Sequence, residues 1–214
     1  MAINKNYSTD VFINCPFDNQ YLPIFHAICF AVHDAGFRAR CALEENDTSK
    51  ARLGKILRII SECKYGVHDL SRVESGSAAN PLPRFNMPFE CGLFFGAKHF
   101  GGKTHQQKQF LVLDSQSHRY QATMSDIAGQ DIGCHEDAPI TAIAKIRRFL
   151  NAKEPGVSLP GGEMIAVRFQ AFMADLPAIA KKSEMTVNEL TSLDYWPDMI
   201  LAMVDWQKNM AKTL

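Results

Sequence analysis

The segment PRFNMPFECGLFFGAKHFG, residues 83–101, places a single carboxylate, Glu90, ahead of a run of apolar and small residues. Pro88 suits the first turn of a helix and Asn86 is a candidate N-cap, so we predict a helix that starts between Asn86 and Pro88. Glu90 would then lie in the first turn. Apolar residues follow it at three, four and seven positions, which puts Glu90 on the apolar stripe of this helix rather than on its solvent face.

Two roles are open for this carboxylate. It could simply complement the helix dipole, which is worth about 0.3–1 kcal/mol. Alternatively, a carboxylate that faces a ligand crevice and is kept ionised by the positive helix end suits a reaction in which positive charge develops. Cleavage at the anomeric carbon of a sugar is such a reaction.

Further polar residues follow a predicted strand in the run KYGVHDLS, residues 64–71. Asp69 could bind the hydroxyls of a ribose at this strand end, or it could cap a turn. Arg72 could hold a phosphate through its guanidinium fork or pair with a neighbouring carboxylate. Ser71 could contact the same ligand or cap the turn, and His68, inside the apolar run, is typical of a core histidine.

Other segments would line the same crevice. The first predicted strand ends in INCPF, and Phe17 and Phe85 could stack on a base. The polar loop from Val73 to Asn80 could act as a lid. The residues expected to bind substrate at these exits are Asn14, Cys15, Pro16, Phe17, Ser71, Arg72, Arg84 and Asn86.

The first 150 residues alternate between β-rich runs and runs of helical period. Strands are predicted within residues 10–17, 37–43, 64–71, 108–114 and 130–136, and helices within residues 20–36, 49–63, 86–100 and 138–151. Such alternation predicts an α/β fold, a flavodoxin-like doubly wound parallel sheet of about five strands. If the strand order is 2-1-3-4-5, the ligand crevice lies between the first and third strands.

The pattern changes near Glu154, where prolines and glycines interrupt the chain and long helical runs follow. We therefore predict an α/β domain over residues 1–154 and a helical C-terminal extension over residues 155–214. This extension could be a small domain, a docking arm or an element of a homo-oligomer.

Composition excludes several function classes. The chain has 23 basic and 23 acidic residues among 214, so bulk charge predicts no nucleic-acid partner, and no apolar run is long enough to cross a membrane. The N-terminus lacks the pattern of a signal peptide, so we expect a cytoplasmic protein. The six scattered cysteines are expected to be free, buried thiols. The chain has no GxGxxG fingerprint and no P-loop, which argues against an ordinary dehydrogenase or NTPase. The cysteines show no CxxC and no paired Cys/His spacing, and no metal or redox cofactor is implied.

The motifs INCPF, the strand ending in Asp69 and NMPFECGLFFGAK resemble those of nucleoside 2-deoxyribosyltransferases and of Toll/interleukin-1 receptor (TIR) domains that hydrolyse NAD. Bacterial TIR-like proteins that carry VFINCPF, HDLSR and PRFNMPFE blocks are similar too. The resemblance spans about residues 10–150. It implies that Glu90 is the catalytic nucleophile or cation-stabilising carboxylate, that Asp69 contacts the ribose or base, and that residues 14–17 form a wall of a nucleotide pocket.

The expectation from the sequence is a nucleotide N-glycosidase that cleaves the base–ribose bond of NAD⁺. Two alternatives stay open. The crevice could bind a nucleotide without cleaving it, as a sensing module, or the chain could act by self-association through its C-terminal helices.

Overall fold

The structure is a computed structural model that describes residues 5–45, 47, 49, 51–73, 82–122, 124–127, 129–151, 153 and 158–213. The chain divides into two compact units, Met1–Pro16 with Arg38–Asp137, and Phe17–Phe37 with Ala138–Leu214. The predicted boundary at Glu154 lies outside the described residues and stays a prediction.

The first unit contains a five-stranded sheet in which every neighbouring pair is parallel. Its strands are β1 (Asp10–Asn14), β2 (Arg38–Arg40), β3 (Tyr65–Asp69), β4 (Gln109–Asp114) and β5 (Gly133–Cys134). The strand order is β2-β1-β3-β4-β5. This confirms the flavodoxin-like α/β class and the order 2-1-3-4-5, so the order reverses between β1 and β3.

The strand register decides which side chains share a face of the sheet. Asn14 pairs with His68, and Asp69 pairs with Leu113. Side chains alternate along a strand, so Asn14 and His68 point to one face, whereas Asp69 and Leu113 point to the other.

Three helices of the first unit join these strands: α2 (Arg52–Glu62), α3 (Asn86–Phe100) and the single turn α4 (Lys103–Gln106). Phe94 of α3 packs with three isoleucines of α2 on Phe12 of β1, so α2 and α3 share one face of the sheet. In the sequence, Leu53, Ile56, Leu57 and Ile60 share one face of a helical period, and we expect that face of α2 to be buried. That expectation is wrong, because α2 buries Ile56, Ile59 and Ile60 and leaves both leucines about half exposed.

Two buried cations fix this layer. Lys108 is fully buried and donates hydrogen bonds to the carbonyls of Ile60 and Cys63 at the end of α2. Burial lowers the pKa of its ammonium to about 8. Arg40 donates to the buried carboxylate of Asp10 at 2.7 Å and also to two glutamates, which anchors the end of β2.

The second unit is helical, as predicted for its C-terminal part. Its helices are α1 (Leu22–Asp34), α5 (Pro139–Asn151), α6 (Gly162–Lys182), α7 (Val187–Thr191) and α8 (Trp196–Thr213). Phe30 of α1 packs against Phe169 and Phe172 of α6 and Trp206 of α8. Among the described residues, no helix combines the length and apolar character needed to cross a bilayer.

Candidate active site at the carboxyl ends of the strands

The amide of Asn14 joins three elements at the point where the strand order reverses. Its Nδ2 donates to the carbonyl of Met87 at 2.8 Å and lies 3.1 Å from Nδ1 of His68. The side chain is buried. It therefore holds the end of β1 against β3 and against the first turn of α3.

The start of α3 differs from the prediction in one detail. The Phe85 carbonyl accepts the hydrogen bond of the Phe89 N–H, which makes Phe85 the N-cap, and no side chain caps this helix. The expectation that Asn86 caps the helix is therefore wrong, since Asn86 is already helical. Glu90 is consequently the fifth helical residue and lies beyond the first turn.

Glu90 is buried, with 5% of the residue exposed. Burial raises the pKa of its carboxyl group to about 7, and the positive charge of Arg52, the first residue of α2, opposes that rise. The expectation that the helix end keeps Glu90 ionised is therefore wrong. The dipole acts mainly within the first turn, and beyond it desolvation dominates. Near pH 7, Glu90 is about half protonated.

Glu90 belongs to the sheet face that also carries Asn14 and His68. One turn further along α3, the ring of Phe94 stacks on Phe12 of β1 and meets His68 edge-on at 5.1 Å between centroids. Because residues four apart lie on the same helix face, Glu90 lies above this face, one turn nearer the carboxyl ends of the strands. The sequence-based expectation of an inward-facing Glu90 is confirmed by its burial.

His68 is the core histidine that its sequence context indicated. Burial lowers its pKa to about 3, so the imidazole is neutral. Its Nδ1 accepts from the Asn14 amide, which leaves the proton on Nε2. Its ring packs among Phe12, Phe94 and Phe110.

Asp69 lies on the opposite face of the sheet from Glu90. Its Oδ1 accepts the Ser71 N–H at 2.8 Å, and its Oδ2 lies 3.0 Å from Nε2 of His135. The carboxylate is fully buried. The structure therefore does not bring the two predicted catalytic carboxylates together, and Asp69 instead links the ends of β3 and β5.

The predicted substrate-binding residues are placed unevenly. Cys15 and Pro16 are buried at the end of β1, and Phe17 belongs to the second unit. Ser71 is buried, Arg72 and Arg84 are half-buried, and Asn86 is exposed. The Arg84 N–H donates to the carbonyl of Val73, which closes the base of the predicted lid, whose residues 74–80 lie outside the described chain.

Sequence reasoning missed a second polar group at the end of β4. Oδ1 of Asp114 accepts from the Ser115 N–H at 2.7 Å and from Nε and Nη2 of Arg119 at 2.9 and 2.6 Å. The Arg119 Nη2 also donates to the Leu70 carbonyl at 2.8 Å. The signal was present in the sequence, since β4 ends in an aspartate just as β3 does.

Protein-family models, curated proteins and solved structures were compared with the chain, and none of them matched it.

Proposed function

We propose that this chain is a TIR-like nucleotide N-glycosidase that hydrolyses NAD⁺, with Glu90 as the carboxylate that acts at the ribose. The observation that carries the proposal is the buried Glu90 carboxyl beside the point where the strand order reverses. Doubly wound sheets bind nucleotides at such points, and a titratable group with a raised pKa in this position is a candidate for catalysis.

The proposed chemistry needs one carboxylate and no acid. In NAD⁺, the glycosidic bond joins ribose C1′ to a positively charged nicotinamide ring. When that bond breaks, its electron pair neutralises the ring nitrogen, and positive charge develops on the ribose. Ionised Glu90 stabilises this charge or bonds to C1′. Water then adds at C1′ and loses a proton, so NAD⁺ and water give nicotinamide, ADP-ribose and a proton.

Contacts on both sides of Glu90 hold its helix in place. Asn14 anchors the first turn of α3 through the Met87 carbonyl, and Phe94 anchors the next turn on the aromatic core. The nearby imidazole of His68 is neutral and adds no competing charge. A rigid, desolvated carboxylate stabilises developing positive charge more strongly than a hydrated one does.

The decisive experiment compares Glu90→Gln with Glu163→Gln, a matched exposed glutamate in the first turn of α6. Purified proteins are incubated with NAD⁺, and released nicotinamide is measured by mass spectrometry. We expect Glu90→Gln to lower kcat by at least about a hundredfold, with circular dichroism unchanged, and Glu163→Gln to match the wild type. Equal turnover by wild type and Glu90→Gln would refute the proposal.

The pH profile supplies a second readout. Because the active form is the carboxylate and its pKa is about 7, kcat/KM of the wild type should fall about tenfold per pH unit below pH 7 and level off above it. A profile that rises as the pH falls would assign the titrating group to an acid instead.

A second candidate function is nucleotide binding without cleavage. The position of Asp69 favours it. Helix α3 with Glu90 covers one face of the sheet, whereas Asp69 points to the other face, so Glu90 has no help from the second predicted carboxylate. This candidate predicts that NAD⁺ or ADP-ribose raises the melting temperature of the protein while no nicotinamide appears.

A further inference from the structure

Two buried polar atoms, one after the end of β3 and one at the end of β4, need a partner. Asp114 is 1% exposed and Ser71 is 8% exposed. Neither Oδ2 of Asp114 nor Oγ of Ser71 has a hydrogen-bond partner among the described residues. Buried polar atoms in proteins are nearly always satisfied by protein groups, by water or by a ligand.

Both atoms belong to residues at the junction between the ends of β3 and β4. Arg119 Nη2 donates to the carbonyl of Leu70, the residue before Ser71, and also to Oδ1 of Asp114. The Leu70 N–H donates to the carbonyl of Leu113, the residue before Asp114. These bonds fix the end of β3 against the end of β4, so the two atoms without partners lie on adjoining segments.

The chemistry of these atoms selects the ligand group. The Asp114 carboxylate, paired with Arg119, can only accept hydrogen bonds, whereas the Ser71 hydroxyl can both donate and accept. A vicinal diol matches this pair, because one hydroxyl donates to the carboxylate while the other exchanges a hydrogen bond with the serine. A phosphate would not match it, since a second anion beside Asp114 is repelled.

The site is displaced from Glu90. Phe94, one turn after Glu90 on the same face of α3, packs on Phe12 of β1, whereas Met87 and Cys91 pack on Val112 of β4, two residues before Asp114. Strand β3 lies between β1 and β4, and neighbouring strands lie about 4.8 Å apart, so the ends of β1 and β4 are separated by about 10 Å. The hydroxyls of one ribose lie on the ring carbons next to its anomeric carbon, so a single ribose cannot span this separation.

We propose that Asp114 and Ser71 bind the ribose diol of the adenosine half of a dinucleotide, while Glu90 acts at the other ribose. This inference rests on the proposed nucleotide substrate and makes it narrower, because a mononucleotide lacks the second ribose. Arg119 is then a positioning residue that aligns the Asp114 carboxylate.

The test uses ADP and 2′,3′-dideoxy-ADP as probes, in calorimetric titrations of the wild type, Asp114→Asn, Ser71→Ala and the exposed control Asp131→Asn. The wild type should bind ADP about tenfold to a hundredfold more tightly than the dideoxy compound. That ratio should fall below about threefold in Asp114→Asn, decrease in Ser71→Ala and persist in Asp131→Asn. The wild-type ratio needs no variant, so it is informative even if Asp114→Asn fails to fold.

The inference is overturned if the wild type binds both probes equally, if it binds neither, or if the ratio persists in Asp114→Asn. These outcomes are independent of cleavage. Diol discrimination without nicotinamide release would sustain this site and refute the proposed hydrolysis, whereas nicotinamide release without discrimination would do the reverse.

Discussion

Replacing Glu90 by glutamine should stabilise the protein in a pH-dependent way. Burial raises the Glu90 pKa from 4.5 to about 7, so the folded state holds this proton more tightly than the unfolded state does. Between these two pH values the folded state binds more protons, and stability therefore falls as the pH rises. That rise in pKa corresponds to about 3 kcal/mol of destabilisation, which is absent below pH 4.5 and complete above pH 7.

Glutamine cannot ionise, so the variant lacks this destabilisation. We expect Glu90→Gln to be about 2–3 kcal/mol more stable than the wild type at pH 8, and equal to it within about 0.5 kcal/mol at pH 4. The assay is urea unfolding followed by circular dichroism at both pH values, with the slopes compared so that a change of midpoint reports stability.

The matched control is again Glu163→Gln, whose side chain is exposed and whose replacement should change stability by less than about 0.5 kcal/mol at either pH. The reasoning is refuted if Glu90→Gln is less stable than the wild type at pH 8, or if the difference between them does not depend on pH. A variant that is both more stable and inactive would mean that the buried carboxylate is kept for function at the expense of stability.

Two further predictions concern the frame of the site. Arg40→Met should destabilise the protein by about 3 kcal/mol or more, because it deprives the fully buried carboxylate of Asp10 of a charged partner. The control is Arg58→Met. The Arg58 side chain is 44% exposed, so its replacement should cost under about 1 kcal/mol in the same urea titration. Gly66→Ala should lower stability by about 1–3 kcal/mol, because the new Cβ would come within 2.7 Å of the His68 imidazole. Gly92→Ala on α3 should raise stability by about 0.5–1 kcal/mol, because its Cβ would meet open space. Equal melting temperatures for the two variants would contradict this packing.

Local sequence patterns were sufficient for the five strands, for α1, α2, α3 and α5, and for the fold class. Short β-rich runs ended by turn residues alternate with helical periods, and steric preferences of parallel βαβ units leave few topologies for such a chain. The same patterns located the helix of Glu90 and its inward-facing stripe. The predicted ranges were longer than most of the strands in the structure, because hydrogen bonding to the neighbouring strand decides where a strand ends.

The pattern of a single segment did not predict which helix face is buried when apolar residues extend over more than one face. In α2, a 3.6-residue period accommodates Leu53 and Leu57 as well as Ile59, and only the position of α3 and the sheet selects the isoleucines for burial. The missing cap on α3 has the same origin. Contacts of the first turn with β1 and β4 position it without a capping side chain.

The sequence by itself determined that Glu90 and Asp69 stand near the carboxyl ends of parallel strands. Only the tertiary structure decided that they lie on opposite faces of the sheet. Side chains alternate along a strand, but each one can be assigned to a face only when the strand register and the face that α3 covers are known. The pKa of Glu90 likewise depends on desolvation and on Arg52, far away in the chain. Desolvation and long-range pairing are properties of the packed molecule, and no short stretch of sequence contains them.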